Sequence, residues 1–555
     1  GAGIARLYGT ARIAGQVIWA TRFEETRTTE QQGGKGRPAG AKVTTYSYHG
    51  NVAIGLREGP IAHVRRVWAD GEELDLTGVE MRVHRGTEDQ MPDPLIEARQ
   101  GAGNAPAYRG LAYVVFERLA LERWGNRLPQ IACEVIRPIG ELEEEMRAVT
   151  IIPGASEHGL DPLTVRERLE PGVDRVANRN VSHAGNDVSA SLDELTALCP
   201  KLERAALIVA WFADDLRCGH ASVRPGVEVA RREETEGWSV DGIGRGEARL
   251  VSRSDGGPAY GGTPSDDGVI RSIRALKARG LKVTHYPFLL MDVPAGNGLP
   301  DPHSDGSQAA YPWRGRMSLD IAENRSGTAD GTARARADIE RFVYGQEWSY
   351  RRMVLHQARL CAAAGGVDAF VIGSEMRGLT RLRDGEGRFP FVEALIALAR
   401  EVKTILPGAT ITYAADWSEY FGYQPADGSG DVFFNLDPLW ADEAIGVVGI
   451  DSYLPLTDWR AGDREDGGPD GLASPYDRAG LGAGIESGEH YDWYYAGEED
   501  RRARRRTPIT DGSAGKPWVY RAKDLRSWWG NEHRERRGGV EVGSRSPWVP
   551  RSKPI

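Results

Sequence analysis

Apolar and polar positions change their period partway along the chain. Up to about residue 140 they alternate at strand spacing, in Val43–Leu56 (with a break at Gly50-Asn51), Ile61–Trp68, Ala112–Leu119 and Leu128–Ile136. Asp70-Gly71, between Trp68 and Glu72–Leu76, is a type I′ turn signal and predicts a hairpin. Glu25–Lys42 contains Gly33-Gly34-Lys35-Gly36 and reads as a mobile hairpin tip. It is no phosphate loop, because no Gly-Lys-Ser/Thr stands before a helix. From Ala205 onward, short continuous apolar runs alternate with helical periodicity. The runs are Leu207–Phe212, Leu281–Leu290, Ala369–Ile372, Thr410–Ala414 and Ile445–Ile450. Tyr350, Val354, Ala358 and Cys361 mark one face of a helix over Trp348–Ala364, stopped by Gly365-Gly366. Pro390 opens a second helix, with Val392, Leu395, Ile396, Ala399 and Val402 on one face. Asp266 or Asp267 is expected to cap a third, and Ser191–Glu194 reads as a capping box before a fourth.

This order predicts a β-rich region followed by an α/β, TIM-barrel-like domain. The expected divisions are residues 1–145 (β-rich), 146–204 (a connector whose Arg147–Ile152 would be the first barrel strand) and 205–555 (barrel). Ser552–Ile555 reads as the opening of a further strand, so the barrel is expected to be cut off near strand seven. Each apolar run ends in carboxylates or aromatics: Glu375, Asp416-Trp417, then Asp451 with Tyr453. In a TIM barrel, residues at the C-terminal ends of strands line the active-site mouth.

Composition narrows the classes. The 555 residues predict more than one domain, and 40% hydrophobic with 27% charged residues fits a globular protein. A net charge of −10 argues against general nucleic-acid binding. The Arg501–Arg506 run follows Glu498–Asp500 and reads as a salt-bridged face. No apolar run reaches membrane-spanning length. Cys133, Cys199, Cys218 and Cys361 form no CxxC pair, and the histidines show no HExxH spacing, so neither a metal nor a cofactor is expected.

Several segments resemble the tail-tip baseplate protein of alphaproteobacterial gene transfer agents and related siphophages, the "megatron" or host-specificity family. They include Gly15–Arg22, Gly101–Gly110, Phe116–Val135, Pro258–Asp266, Ala414–Phe421 and Asp511–Trp529. The resemblance implies a β-rich tail-hub region carrying a glycoside-hydrolase-like TIM barrel. It also implies a homotrimer at the virion tail tip, beside distal tail and other baseplate proteins, made in the bacterial cytoplasm. The implied function is structural, in host-envelope attachment or penetration and DNA delivery, with a host glycan as a partner. The alternative is a tail-associated glycosidase acting on cell-envelope polysaccharide.

Glycoside hydrolysis uses two carboxyl groups. By likeness to retaining glycosidase barrels, Glu375 stands where the acid/base follows strand four, provided Arg147–Ile152 is strand one. Ser374 stands where such enzymes carry Asn. The matching nucleophile would follow strand seven, beyond Ile555, and the chain as given is expected to be inactive. Read alone, Glu375 is equally a salt-bridged residue of a barrel mouth. Asp416, Trp417, Asp451 and Tyr453 are the substrate-contact candidates. Trp440, Trp459, Trp493, Trp528 and Trp529 offer either sugar-stacking faces or the seal of an interface.

Overall fold

A computed structural model describes residues 4–31, 42–153, 156–345 and 347–555. Two antiparallel sheets form the N-terminal region. One runs Gly9–Ala14, Ile131–Arg137, His63–Ala69, Glu72–Glu73; the other runs Gln16–Ala20, Lys42–Glu58, Leu111–Ala120, Glu80–His84, with Glu24–Gln31 also paired to Lys42–Glu58. Alternation explains the packing: Val52, Ile54 and Leu56 point into the same core as Val114, Phe116, Val64 and Val135. The expected hairpin is present. Trp68 pairs with Glu73 across Asp70 (φ +51°) and Gly71 (φ +91°), the two left-handed positions that a type I′ turn needs. The expected tip at Gly33–Gly36 lies outside the described residues.

Two helix starts differ from the sequence reading. The helix Asp187–Leu198 begins at Asn186, whose Oδ1 accepts from the Ser189 amide at 2.9 Å, so Ser191 lies a turn inside it. Ser265, not Asp266 or Asp267, caps Asp266–Ala278, accepting from Gly268 at 3.1 Å. In both cases a short polar side chain earlier in the chain reaches the free amides first, and Asp266 and Asp267 become first-turn residues facing the helix dipole.

The α/β domain is a curled sheet of six parallel strands taken in chain order: Ala148–Ile151, Arg204–Ala213, Lys282–Met291, Ala369–Ser374, Thr410–Asp416 and Gly449–Asp451. Ala148 pairs with Arg204, Arg204 with Lys282, Ala369 with Thr410, and Ala414 with Gly449. Counted this way, Glu375 follows strand four. Strand six is shorter than its apolar run: it begins at Gly449, and Ile445 makes only an isolated bridge to Ile411. Outside the sheet, helices Tyr350–Ala363 and Pro390–Ile405 bury the faces read from their periodicity. Inside it, Ile208, Tyr286, Val371 and Ala414, one from each of strands two to five, form a small separate core with Phe288.

Residues 454–547 fold as short helices and two-residue ladders. Trp528 and Trp548 stack at 5.0 Å with His533 beside them, and His533 Nδ1 lies 2.8 Å from Asp437 Oδ2. Trp440 and Trp528 are fully buried, so they belong to the core and present no face to a sugar. All four cysteines are buried and unpaired. Among the described residues no helix is long and apolar enough to cross a membrane.

One contact at strand four tests this packing. A Cβ on Gly373 would stand 1.8 Å from the Tyr350 hydroxyl, which itself donates to Ile372 O at 2.9 Å. Gly373→Ala is expected to lower stability by about 1–3 kcal/mol through overpacking. Adding Tyr350→Phe should restore part of that loss; chemical denaturation of both variants measures it.

Candidate functional site

The end of strand four is shaped by a bulge. Between Val371 and Ser374 the register against strand five shifts, so Ile372 and Gly373 together stand opposite Tyr413. Such a bulge re-aims the residues that follow it. Glu375 then takes a left-handed backbone (φ +52°), unusual for a side chain of its size, while its amide donates to Ala414 O at 2.9 Å.

The Glu375 carboxylate is buried and held from three sides. Trp313 Nε1 donates to Oε2 at 2.7 Å, and Arg314 Nη2 lies 3.0 Å from the same oxygen. Arg314 also donates from Nε to Ser374 O and from Nη2 to Ser374 Oγ, both at 2.8 Å. Ser374 therefore anchors the guanidinium that pairs with Glu375. On the third side, Asp451 accepts from the Tyr286 hydroxyl at 2.8 Å and lies close enough to Glu375 for the two carboxyls to act on each other. Burial, with the charge of Glu375 adding to it, raises Asp451 to about 6 against the opposing pull of Tyr286 and Arg314.

The structure thus brings Glu375 and Asp451 together, with Tyr453 at the rim, 72% exposed and within the field of Glu375, Asp451 and Asp416. Asp416 is occupied differently. Its Oδ1 accepts from the amide and hydroxyl of Ser418, and its own amide donates to Glu419 Oε2 at 3.0 Å, closing the turn after strand five. Trp417 packs against His490 at 4.6 Å on the wall of a neighbouring cavity. Sequence reading missed Tyr286, Trp313 and Arg314. Tyr286 sits inside an apolar run, and the other two lie in an irregular segment with no period to mark them.

Elsewhere, ligand atoms of Glu157, His158 and Glu234 lie within 4.8 Å of one another, a spacing that suits a metal. Those carboxylates are already bound by Arg245 and Arg232, so the cluster reads as an ion-pair network. Arg501, Arg502, Arg504, Arg505 and Arg506 each pair with a carboxylate, as the charge pattern suggested.

The raised Asp451 carboxyl gives a stability signature. Asp451 holds its proton to a higher pH folded than unfolded, so between about pH 4 and 6 the native state binds more protons. Stability must then fall as pH rises through that window. Asp451→Asn, which can still accept from Tyr286, is expected to remove this slope. At pH 7 the variant should be more stable than the parent, by on the order of 1–3 kcal/mol. Denaturant titrations from pH 4 to 7.5 on both proteins measure the difference.

Comparison with known proteins places part of this domain. Residues 348–555, which carry strands four to six, match the GTA TIM-barrel-like domain. A chain of the native gene transfer agent (GTA) virion is 46% identical, with 28% of this chain and 34% of that one covered and a TM-score of 0.22. This chain therefore spans about a third of the virion chain it matches. A GH113 β-1,4-mannanase is 18% identical over 46% of this chain and 54% of its own, with a TM-score of 0.25. The GH113 β-mannanase AaManA from Alicyclobacillus acidocaldarius is 18% identical over 57% and 64%, also with a TM-score of 0.25. No curated protein matches the chain.

Proposed function

We propose that the chain is a structural component of a gene-transfer-agent tail baseplate whose barrel mouth recognises a host-envelope glycan without cleaving it. The likeness to a virion chain and the domain match support the virion part of this reading. The family resemblance supplies the finer part: a trimeric hub at the tail tip, beside distal tail proteins, active in attachment and DNA delivery.

The observation behind the non-hydrolytic reading is how the two carboxyls are held, Glu375 Oε2 by Trp313 and Arg314 and Asp451 by Tyr286. A glycosidase pair needs both groups free to face the scissile bond between them. Carboxyls tied to such neighbours are not free to take those roles. Asp416 offers no substitute, because its carboxylate closes a turn with Ser418. A second reading, a glycosidase acting on envelope polysaccharide, draws on the place of Glu375 after strand four.

Incubation with host-envelope polysaccharide separates the two. The chain should retain glycan and release no reducing sugar above the blank, and Glu375→Gln should bind within about threefold of the parent. Steady sugar release abolished by Glu375→Gln would establish the glycosidase instead. Failure to retain any envelope glycan would overturn recognition itself.

A further inference from the structure

Beyond the carboxyl pair lies a cavity of about 830 Å³ with two arginines on its wall. Arg377 and Arg381 stand one helical turn apart on its wall, two and six residues beyond Glu375. Among the described residues neither guanidinium is within 4.0 Å of a carboxylate, although most arginines of this chain are paired. Arg377 Nε is buried without a hydrogen-bond partner. Arg381 has one long bond to Ser418 O at 3.4 Å and lies 5.2 Å from the Tyr423 ring centre.

The nearby acids leave this charge in place. Glu419 is fully occupied: Oε1 accepts from Thr380 at 2.7 Å and from Tyr413 at 3.0 Å, and Oε2 accepts from the Asp416 amide. Burial raises Glu419 to about 7, so at neutral pH it carries only part of a charge. Asp511 is taken by Arg536 at 2.8 Å. Glu323 lines the cavity and acts on both arginines through space, outside ion-pair distance. Asp416 also acts on Arg377 through space, so both guanidiniums face the cavity with carboxylates nearby but none in an ion pair. A half-buried cation without a direct partner leaves donors free for an anion from outside.

The remaining walls favour a ring. Trp417, half-buried with His490 at 4.6 Å, gives the cavity an apolar aromatic face of the kind that sugar rings pack on. The forked donors of two arginines match a planar carboxylate. We propose that this cavity binds an acidic saccharide unit, its carboxylate held by Arg377 and Arg381 and its ring set against Trp417. This rests on the reading of the barrel mouth as a glycan site and names the chemical class of the glycan.

A panel of size-matched oligosaccharides tests it: hyaluronan, alginate and polygalacturonate fragments against cello-, manno- and amylo-oligosaccharides. At least one acidic series should bind tenfold or more tighter than every neutral series, and that preference should shrink as salt rises from 50 to 500 mM. Arg377→Met with Arg381→Met should erase the preference, whereas Arg377→Lys with Arg381→Lys should keep part of it. Arg377→Met alone should raise the melting temperature, the opposite of what loss of a structural arginine would do. Neutral series bound as well as acidic ones would overturn the acidic-sugar assignment and leave the glycan site standing. So would a preference that survives the double Met variant, or a melting temperature lowered by Arg377→Met. Binding of no oligosaccharide in the panel would overturn both.

Discussion

Arg314 is the interaction on which the barrel mouth depends. It is 6% exposed, lies over the Phe288 ring at 3.9 Å, and spends its donors on Ser374 O, Ser374 Oγ and Glu375. One buried cation thus ties the end of strand four to strand three and balances the charge of Glu375. Removing one partner of such a pair typically costs about 3–5 kcal/mol, because the other charge is left buried and alone. The guanidinium reaches this place only because the turn Arg314–Arg316 can press against the short helix Arg377–Thr380. A Cβ on Gly378 would stand 2.1 Å from Met317 O, so that close approach requires glycine.

The same helix divides the mouth electrically. On one side Glu375 pairs with Arg314, and its charge helps to raise Asp451. On the other, Arg377 and Arg381 face the cavity, where burial lowers both, Arg381 to about 10. Glu419 sits nearby, yet its hydrogen bonds to Thr380 and Tyr413 hold it as a structural group. A folded chain keeps such unpaired cations at a cost to stability, and functional sites are where that cost is usually found.

The N-terminal sheets need no comparable device. Their core is apolar and their strands alternate, so the hydrophobic pattern alone accounts for the packing of Val52, Phe116 and Val135. The helix Asp187–Leu198 lies against the strand His63–Ala69, with Arg65 pairing to Glu194 at 3.3 Å, which joins the β-rich region to the connector ahead of the barrel.

The sequence by itself determined whatever acts over a few residues. Periodicity marked the helices Tyr350–Ala363 and Pro390–Ile405, the turn at Asp70-Gly71, and most of the apolar runs that became parallel strands. It also placed Glu375, Asp416 and Asp451 at strand ends, because a parallel sheet buried on both faces shows in sequence as an apolar run with a polar stop. Tertiary structure decided how those carboxylates are used. Asp451 meets Glu375 because strands four to six curl, whereas Asp416 turns to Ser418, and no local pattern distinguishes the two acids. Nor could spacing show that Arg314, from an irregular loop, would fill the gap beneath Glu375, or that Arg377 and Arg381 would be left unpaired. Charge pairing over such separations is fixed by which surfaces the folded backbone brings within a few ångströms, and that geometry exists only after the sheet has closed around its core.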